Sequence, residues 1–390
     1  MPEDHISPQL PSGDDGLDIA ALSRLFRHTT NSYKFVFFLA ILDLLRRHHF
    51  DAGRPYSYQE ITVEMLAIAW YPHSFFKLSF GTQDTIAKKL QSLDLSFPDS
   101  VNIFSDDRRA LRDTLAGTDL KEAHRLMEFV PYRLITPFLD EPLKEAGIRK
   151  GPWMELERGL PRVANANFDK YRPLYRFDAD SDRDCTAIIW HPEWAAYFQQ
   201  HYALTHAWAA WHWLQYMQRR NPATPGLPKK LFPPVGRDSM TRQTRFWREV
   251  LKHPKGQGLR CIYSNAQLTP EHFALDHYLP WSFVVHNQLW NLLPTPAQVN
   301  SSKSNNIPAA DYLERFVDLQ HQGLNIANET FSKKAFTSFT EDYLTDLHLP
   351  SSDALLNYEQ LADAYEKHVP PLISLAANQG FVPGWRYESA

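Results

Sequence analysis

The stretch Phe273-Ala274-Leu275-Asp276-His277-Tyr278-Leu279-Pro280-Trp281, followed by Trp290-Asn291-Leu292-Leu293 and then by Val299-Asn300-Ser301-Ser302-Lys303-Ser304-Asn305-Asn306-Ile307-Pro308, decides how this 390-residue chain is read. A strand-like run ends in Asp-His-x-x-Pro, an Asn follows about fourteen residues on, and an Asn-x-x-Lys closes the set. Hydrolysis of a phosphodiester needs a base for water, a cation beside the departing 3′ oxygen and donors for the phosphate. His277 is the candidate base, because imidazole titrates near neutral pH and the carboxylate and amides around it do not. Strand alternation sets Asp276 opposite His277, yet a bent two-strand turn brings both to one phosphate. Asp276 and Asn300 offer hard oxygens, which suit Mg2+ or Mn2+ better than Zn2+. Lys303, one turn along a helix from Asn300, reaches the phosphate as a point charge.

This joint pattern resembles the HNH, or ββα-metal, nuclease family. It is similar in particular to the HNH domain of type II CRISPR effector nucleases, which runs Asp-His-x-x-Pro-x-Ser-Phe and closes with Asn-x-x-Lys-Ser-x-Asn-x-Pro. Here Trp281-Ser282-Phe283 follows the proline directly. The resemblance implies an endonuclease that depends on a divalent metal. It casts Asn291 as the residue that orients the base, through a hydrogen bond from its side chain or backbone to the His277 ring. Relatives with histidine at the ligand positions accept softer metals, so Asp276 and Asn300 point to magnesium. Many HNH domains also carry two Cys-x-x-Cys pairs around a structural zinc. This chain has only Cys261-Ile262-Tyr263-Ser264 and no second pair. A structural zinc is therefore not expected, and packing from Phe273, Leu275, Trp281, Phe283 and Trp290 must take its place.

Outside this stretch the composition is that of an ordinary globular protein. Hydrophobic residues make up 43% and charged residues 22%, which excludes a disordered or collagen-like chain. Two cysteines exclude a disulfide framework and fit a reducing, cytoplasmic setting. The acidic, Pro-rich start lacks the features of a secretory signal, and the apolar run from Phe35 to Leu45 is too short to span a bilayer. Between Arg219 and Arg260 eleven Lys or Arg face two acids; with a chain net charge of −4, the remainder carries −13.

The expected fold class is α+β: a mainly helical N-terminal region with a small β-hairpin, then a ββα-metal HNH nuclease domain and a helical C-terminal segment. Residues 1–16 read as a flexible tail, 17–218 as a recognition or regulatory domain and 219–258 as a basic Pro-rich linker. The nuclease domain then covers 259–310 and the C-terminal segment 311–390. Ser57 and Glu60 have capping-box spacing for a helix that stops near Pro72, and Thr82–Leu93 forms a second short helix. Such a pair is either a DNA-reading helix-turn-helix or, far more often, a plain packing unit. Leu174–Phe177 and Thr186–Trp190 read as strands joined by an Asp-rich turn. An EF-hand would need Gly and Glu where Arg183 and Ile189 stand. The helix that starts after His191 carries His201, His206 and His212 at spacings unsuited to a metal pair, so they read as core or capping residues. Within the linker a short helix runs from about Met240 to Lys252.

The functional expectation is an endonuclease acting on double-stranded DNA, with Arg242, Arg245 and Arg248 on the phosphate backbone beside Lys303. A homodimer or a regulatory partner completes the expectation, no membrane is involved, and by analogy the setting is restriction or anti-phage defence. The alternatives are a non-cleaving DNA-binding or scaffold protein that keeps the fold, and a nuclease acting on RNA.

Overall fold

The computed structural model describes residues 8–13, 16–27, 29–82, 84–93, 108–118, 120, 125–148, 153–232 and 238–388. Most of the expected N-terminal tail, residues 1–7, 14 and 15, lies outside that set. The chain forms two compact units, Met1–Pro222 and Ala223–Ala390. It is mainly helical with small sheets. Among the described residues no helix is long and apolar enough to cross a membrane.

In the first unit the helix Tyr58–Trp70 begins as its sequence dictates. Ser57 Oγ accepts from Glu60 N and the Glu60 carboxylate accepts from Ser57 N, so two donors at the helix start are satisfied reciprocally. The α-helix ends at Trp70, close to Pro72 as expected. It passes into a wider turn, Tyr71–Phe75, with the proline near its beginning, where a missing N–H costs little. All residues from Ile61 to Trp70 are buried, among them Glu64, which pairs with Arg47 and Arg112. Enclosed on every side, this helix is a packing element of the unit's core. The second expected helix, Thr85–Ser92, is capped by Asp84.

The expected hairpin is present as β2 (Tyr175–Phe177) and β3 (Ala187–Trp190), antiparallel with Tyr175 opposite Trp190. The Asp178 carboxylate closes the turn by accepting from Thr186 N and Oγ1. The sequence reading missed β1, Pro55–Ser57, which pairs with the other side of β3 and gives the order β1-β3-β2. A three-residue strand opened by proline carries no periodicity to detect. The long helix Pro192–Arg220 breaks at His201, whose backbone leaves helical geometry.

The second unit departs from the expected linker. Residues 241–252 do form a helix, Thr241–Lys252, but Phe246, Trp247, Val250 and Leu251 are buried in the same core as the residues that follow. A basic outer face beside an apolar inner one is the pattern of a packed amphipathic helix, and charge counting alone does not separate it from a linker. Next come β4 (Ala274–His277), the turns Trp281–Val284 and Leu289–Asn291, β5 (Leu292–Thr295) and the helix Ala297–Lys303. β4 and β5 are antiparallel, with Asp276 opposite Leu293 and His277 opposite Leu292. This is the expected ββα order.

The hairpin shares its core with the helices Tyr312–Thr330, Lys333–Asp346 and Tyr358–Asn378. Tyr278 stacks on Phe316 with ring centroids 4.3 Å apart. Tyr365 donates its hydroxyl to the Trp290 carbonyl at 2.7 Å, and the Trp290 indole donates to Asp346 at 2.8 Å. Leu275, Phe283 and Trp290 join this core, and Phe273 packs at its edge. Residues 259–310 and 311–390 therefore act as one packing unit.

Candidate active site

β4 delivers Asp276 and His277 to opposite faces because consecutive strand residues alternate. Asp276 turns inward and is only 2% exposed, while His277 stands half-buried. The inward face is completed by Lys303, the last residue of the helix Ala297–Lys303. Its Nζ lies 3.2 Å from Asp276 Oδ1 and donates to the His277 carbonyl at 2.6 Å. Asp276 Oδ2 accepts from the Tyr263 hydroxyl at 3.0 Å. Burial raises the pKa of Asp276 and lowers that of Lys303, and in each case the partner's opposite charge works against the shift. Burial also holds the Tyr263 hydroxyl protonated, so it stays a donor.

Lys303 therefore faces Asp276 and the back of the hairpin, where the sequence reading placed it on substrate phosphate. The spacing from Asn300 was sound, but whether a helix side chain points inward or outward depends on the surface it packs against. Asn300, one turn earlier, is half-buried, and its side chain makes no hydrogen bond among the described residues.

Asn291 is fully buried and clamps the turn after β4. Its Oδ1 accepts from Leu279 N at 2.8 Å, its Nδ2 donates to the Leu279 carbonyl at 2.9 Å, and its own carbonyl accepts from Tyr278 N at 2.8 Å. Its side chain thus serves the backbone two residues beyond His277 rather than the imidazole. The His277 ring meets Asn287, with Nε2 2.9 Å from Asn287 Oδ1. Asn287 and Tyr263 escaped the sequence reading. Neither lies in the recognisable spacing, and a tyrosine in the shortened Cys261-x-x-Ser264 turn carries no signal of its own.

That turn is held by protein bonds. Cys261 N donates to the Ala266 carbonyl at 2.8 Å, and Arg260 pairs with Gln267 in an isolated bridge. Cys261 is a free, buried thiol. Among the described residues no group of three His, Cys, Asp or Glu is arranged to hold a metal. Asp276 and Asn300 fit a hard cation in kind, being a carboxylate and an amide oxygen. As arranged, however, both Asp276 oxygens accept hydrogen bonds from Lys303 and Tyr263.

Of the three arginines expected to join Lys303 on the phosphate, Arg242 is engaged elsewhere. It donates to the Ser338 carbonyl, and its guanidinium lies 5.2 Å over the Phe339 ring. Arg245 and Arg248 are exposed on the outer face of their helix.

No curated protein and no solved structure matches the chain. Residues 261–309 match the family described as HNH endonuclease. That span begins at the Cys261 turn and ends just past Pro308, enclosing β4, the Asn291 clamp, β5 and the helix to Lys303, and over it this chain carries an HNH domain.

Proposed function

We propose that this protein is a metal-dependent endonuclease that hydrolyses phosphodiester bonds of duplex DNA, with His277 as the general base. The observation that carries this reading is the position of His277 within the HNH domain. It is the half-buried imidazole on a hairpin where the motif residues Asp276, Asn291 and Lys303 are buried and bonded to the fold. A rigid scaffold around one accessible base suits proton abstraction from water.

Asp276 and Asn300 would hold a magnesium or manganese ion. When bound, such an ion supplies positive charge beside the departing oxygen. Cation binding would compete with Lys303 for Asp276 Oδ1. Arg245 and Arg248 would follow the phosphate backbone; their exposure on a helix anchored in the same core as the hairpin supports that reading. The expectation of a defence setting follows from the resemblance alone.

The second reading, a non-cleaving DNA-binding protein, draws support from the same Asp276–Lys303 pair, because a carboxylate that never leaves its lysine binds no metal. Supercoiled plasmid incubated with Mg2+ separates the two. Nicking that EDTA stops, and that His277→Ala lowers by ~10²- to 10⁴-fold, supports the nuclease. DNA binding without nicking supports the second reading, and cleavage of RNA alone would replace the substrate.

A further inference from the structure

Asn287 belongs to no motif, yet three hydrogen bonds converge on it. Its Nδ2 donates to the Asp238 carbonyl at 3.0 Å, its own carbonyl accepts from Gln243 Nε2 at 2.7 Å, and its Oδ1 lies 2.9 Å from His277 Nε2. The first of these fixes the last. A carbonyl oxygen only accepts, so the amide must turn its nitrogen toward Asp238 and its oxygen toward the imidazole. An oxygen acceptor facing Nε2 requires that Nε2 carry the proton. In the neutral ring the lone pair then sits on Nδ1.

We propose that Asn287 is the positioning residue for His277, holding the imidazole as the Nε2–H form so that Nδ1 is the atom that takes a proton from water. This rests on the nuclease reading for its catalytic consequence, though not for the geometry. Asn287 fills the role that the resemblance gives to Asn291, and it does so by a different route. Asn291 fixes the backbone after β4, whereas Asn287 reaches the ring from the loop between the two turns. Gln243 lies on the helix that also bears Arg245 and Arg248. The segment from Asp238 to Gln243 thus holds the loop that holds the base.

The test separates the acceptor oxygen from the rest of the side chain. Asn287→Asp keeps an oxygen for Nε2–H but loses the donor to Asp238. Asn287→Ala loses both. Full-length protein labelled with 15N-histidine is examined without metal at about pH 8, where imidazole is ordinarily neutral. A solvent-protected ring N–H signal, assigned to His277 by its loss in His277→Gln, is expected in wild type and in Asn287→Asp and is absent in Asn287→Ala. On plasmid with Mg2+, Asn287→Ala is expected to lose about 10²-fold in kcat with an unchanged Kd for DNA. Asn287→Asp stays within a few-fold of wild type.

A ring signal that persists in Asn287→Ala overturns the proposal. Equal loss of activity in the Ala and Asp variants, with equal loss of thermal stability, also overturns it and makes Asn287 a loop anchor only. If Asn287→Ala does not fold, the Asp variant decides alone, since it must keep the signal. If wild type cleaves no nucleic acid, the nuclease reading falls and the ring signal still decides whether Asn287 orients His277.

Discussion

Replacing Lys303 with methionine removes one charge from a pair that sees almost no solvent. The Lys303 side chain is 0% exposed and that of Asp276 3%. The variant leaves the Asp276 carboxylate with the Tyr263 hydroxyl as its remaining side-chain donor, and the His277 carbonyl loses its 2.6 Å partner. Breaking a buried pair from one side costs about 3–5 kcal/mol, because the surviving charge keeps its desolvation penalty without its counter-ion. Against a typical domain stability of ~5–15 kcal/mol this is a large fraction. Urea unfolding of the full chain, followed by circular dichroism, should show the corresponding loss in the transition of the Ala223–Ala390 unit. The double variant Asp276→Asn/Lys303→Met removes both charges and nearly preserves volume, so it should recover most of that loss. A Lys303→Met protein within about 1 kcal/mol of wild type, or a double variant no better than the single, would refute the argument that the pair is charged and mutually dependent.

The same pairing predicts that Lys303→Met, wherever it remains folded, binds Mn2+ about tenfold more tightly by calorimetry, ~1.4 kcal/mol, because the competing ammonium is gone; an unchanged Kd would remove Asp276 as a ligand. Asn291→Ala strands the buried Leu279 N–H and carbonyl and should cost about 2–4 kcal/mol in urea unfolding, with DNA affinity unchanged in the folded fraction. Arg245→Glu with Arg248→Glu should weaken DNA binding and flatten its salt dependence by roughly 0.9 in log–log slope per lost phosphate contact, measured by isotherms at three salt concentrations. Arg242→Glu should instead lower the melting temperature, since its guanidinium bonds to Ser338 and covers Phe339. His286 is pushed down to about 4, first by burial and then by the Lys229 charge. Its unfolded form therefore takes up a proton first as pH falls below about 6.5, and folding weakens by up to about 2 kcal/mol between pH 7 and 5, levelling below 4. In His286→Gln the melting temperature should lose that part of its pH dependence.

What the sequence made legible followed from local chemistry. The Ser57–Glu60 box, the β2–β3 hairpin and the ββα order each rest on a spacing that a few consecutive residues set. The motif residues were also identifiable by type. Their partners were not, because those depend on side-chain direction and on segments distant in the chain. Lys303 turns inward because the hairpin covers that side of its helix. The oxygen that meets His277 comes from a loop asparagine whose orientation is set by the Asp238 carbonyl. The basic stretch misled for a related reason: a net charge of +9 says nothing about the Phe246, Trp247, Val250 and Leu251 face that ties the helix into the core.

The shared core has a consequence for synthesis. A ribosome makes the chain from its N-terminus, so Asp276 and His277 emerge before Phe316, Tyr343 and Tyr365 exist to pack behind them. The backbone of 307–309 is pinned later still, by Val382 and Trp385. An HNH hairpin built this way completes its core only after the C-terminal helices have been made. A ribosome stalled before residue 365 would leave Trp290 without the Tyr365 hydroxyl on its carbonyl, and the unfinished product would be exposed to proteolysis.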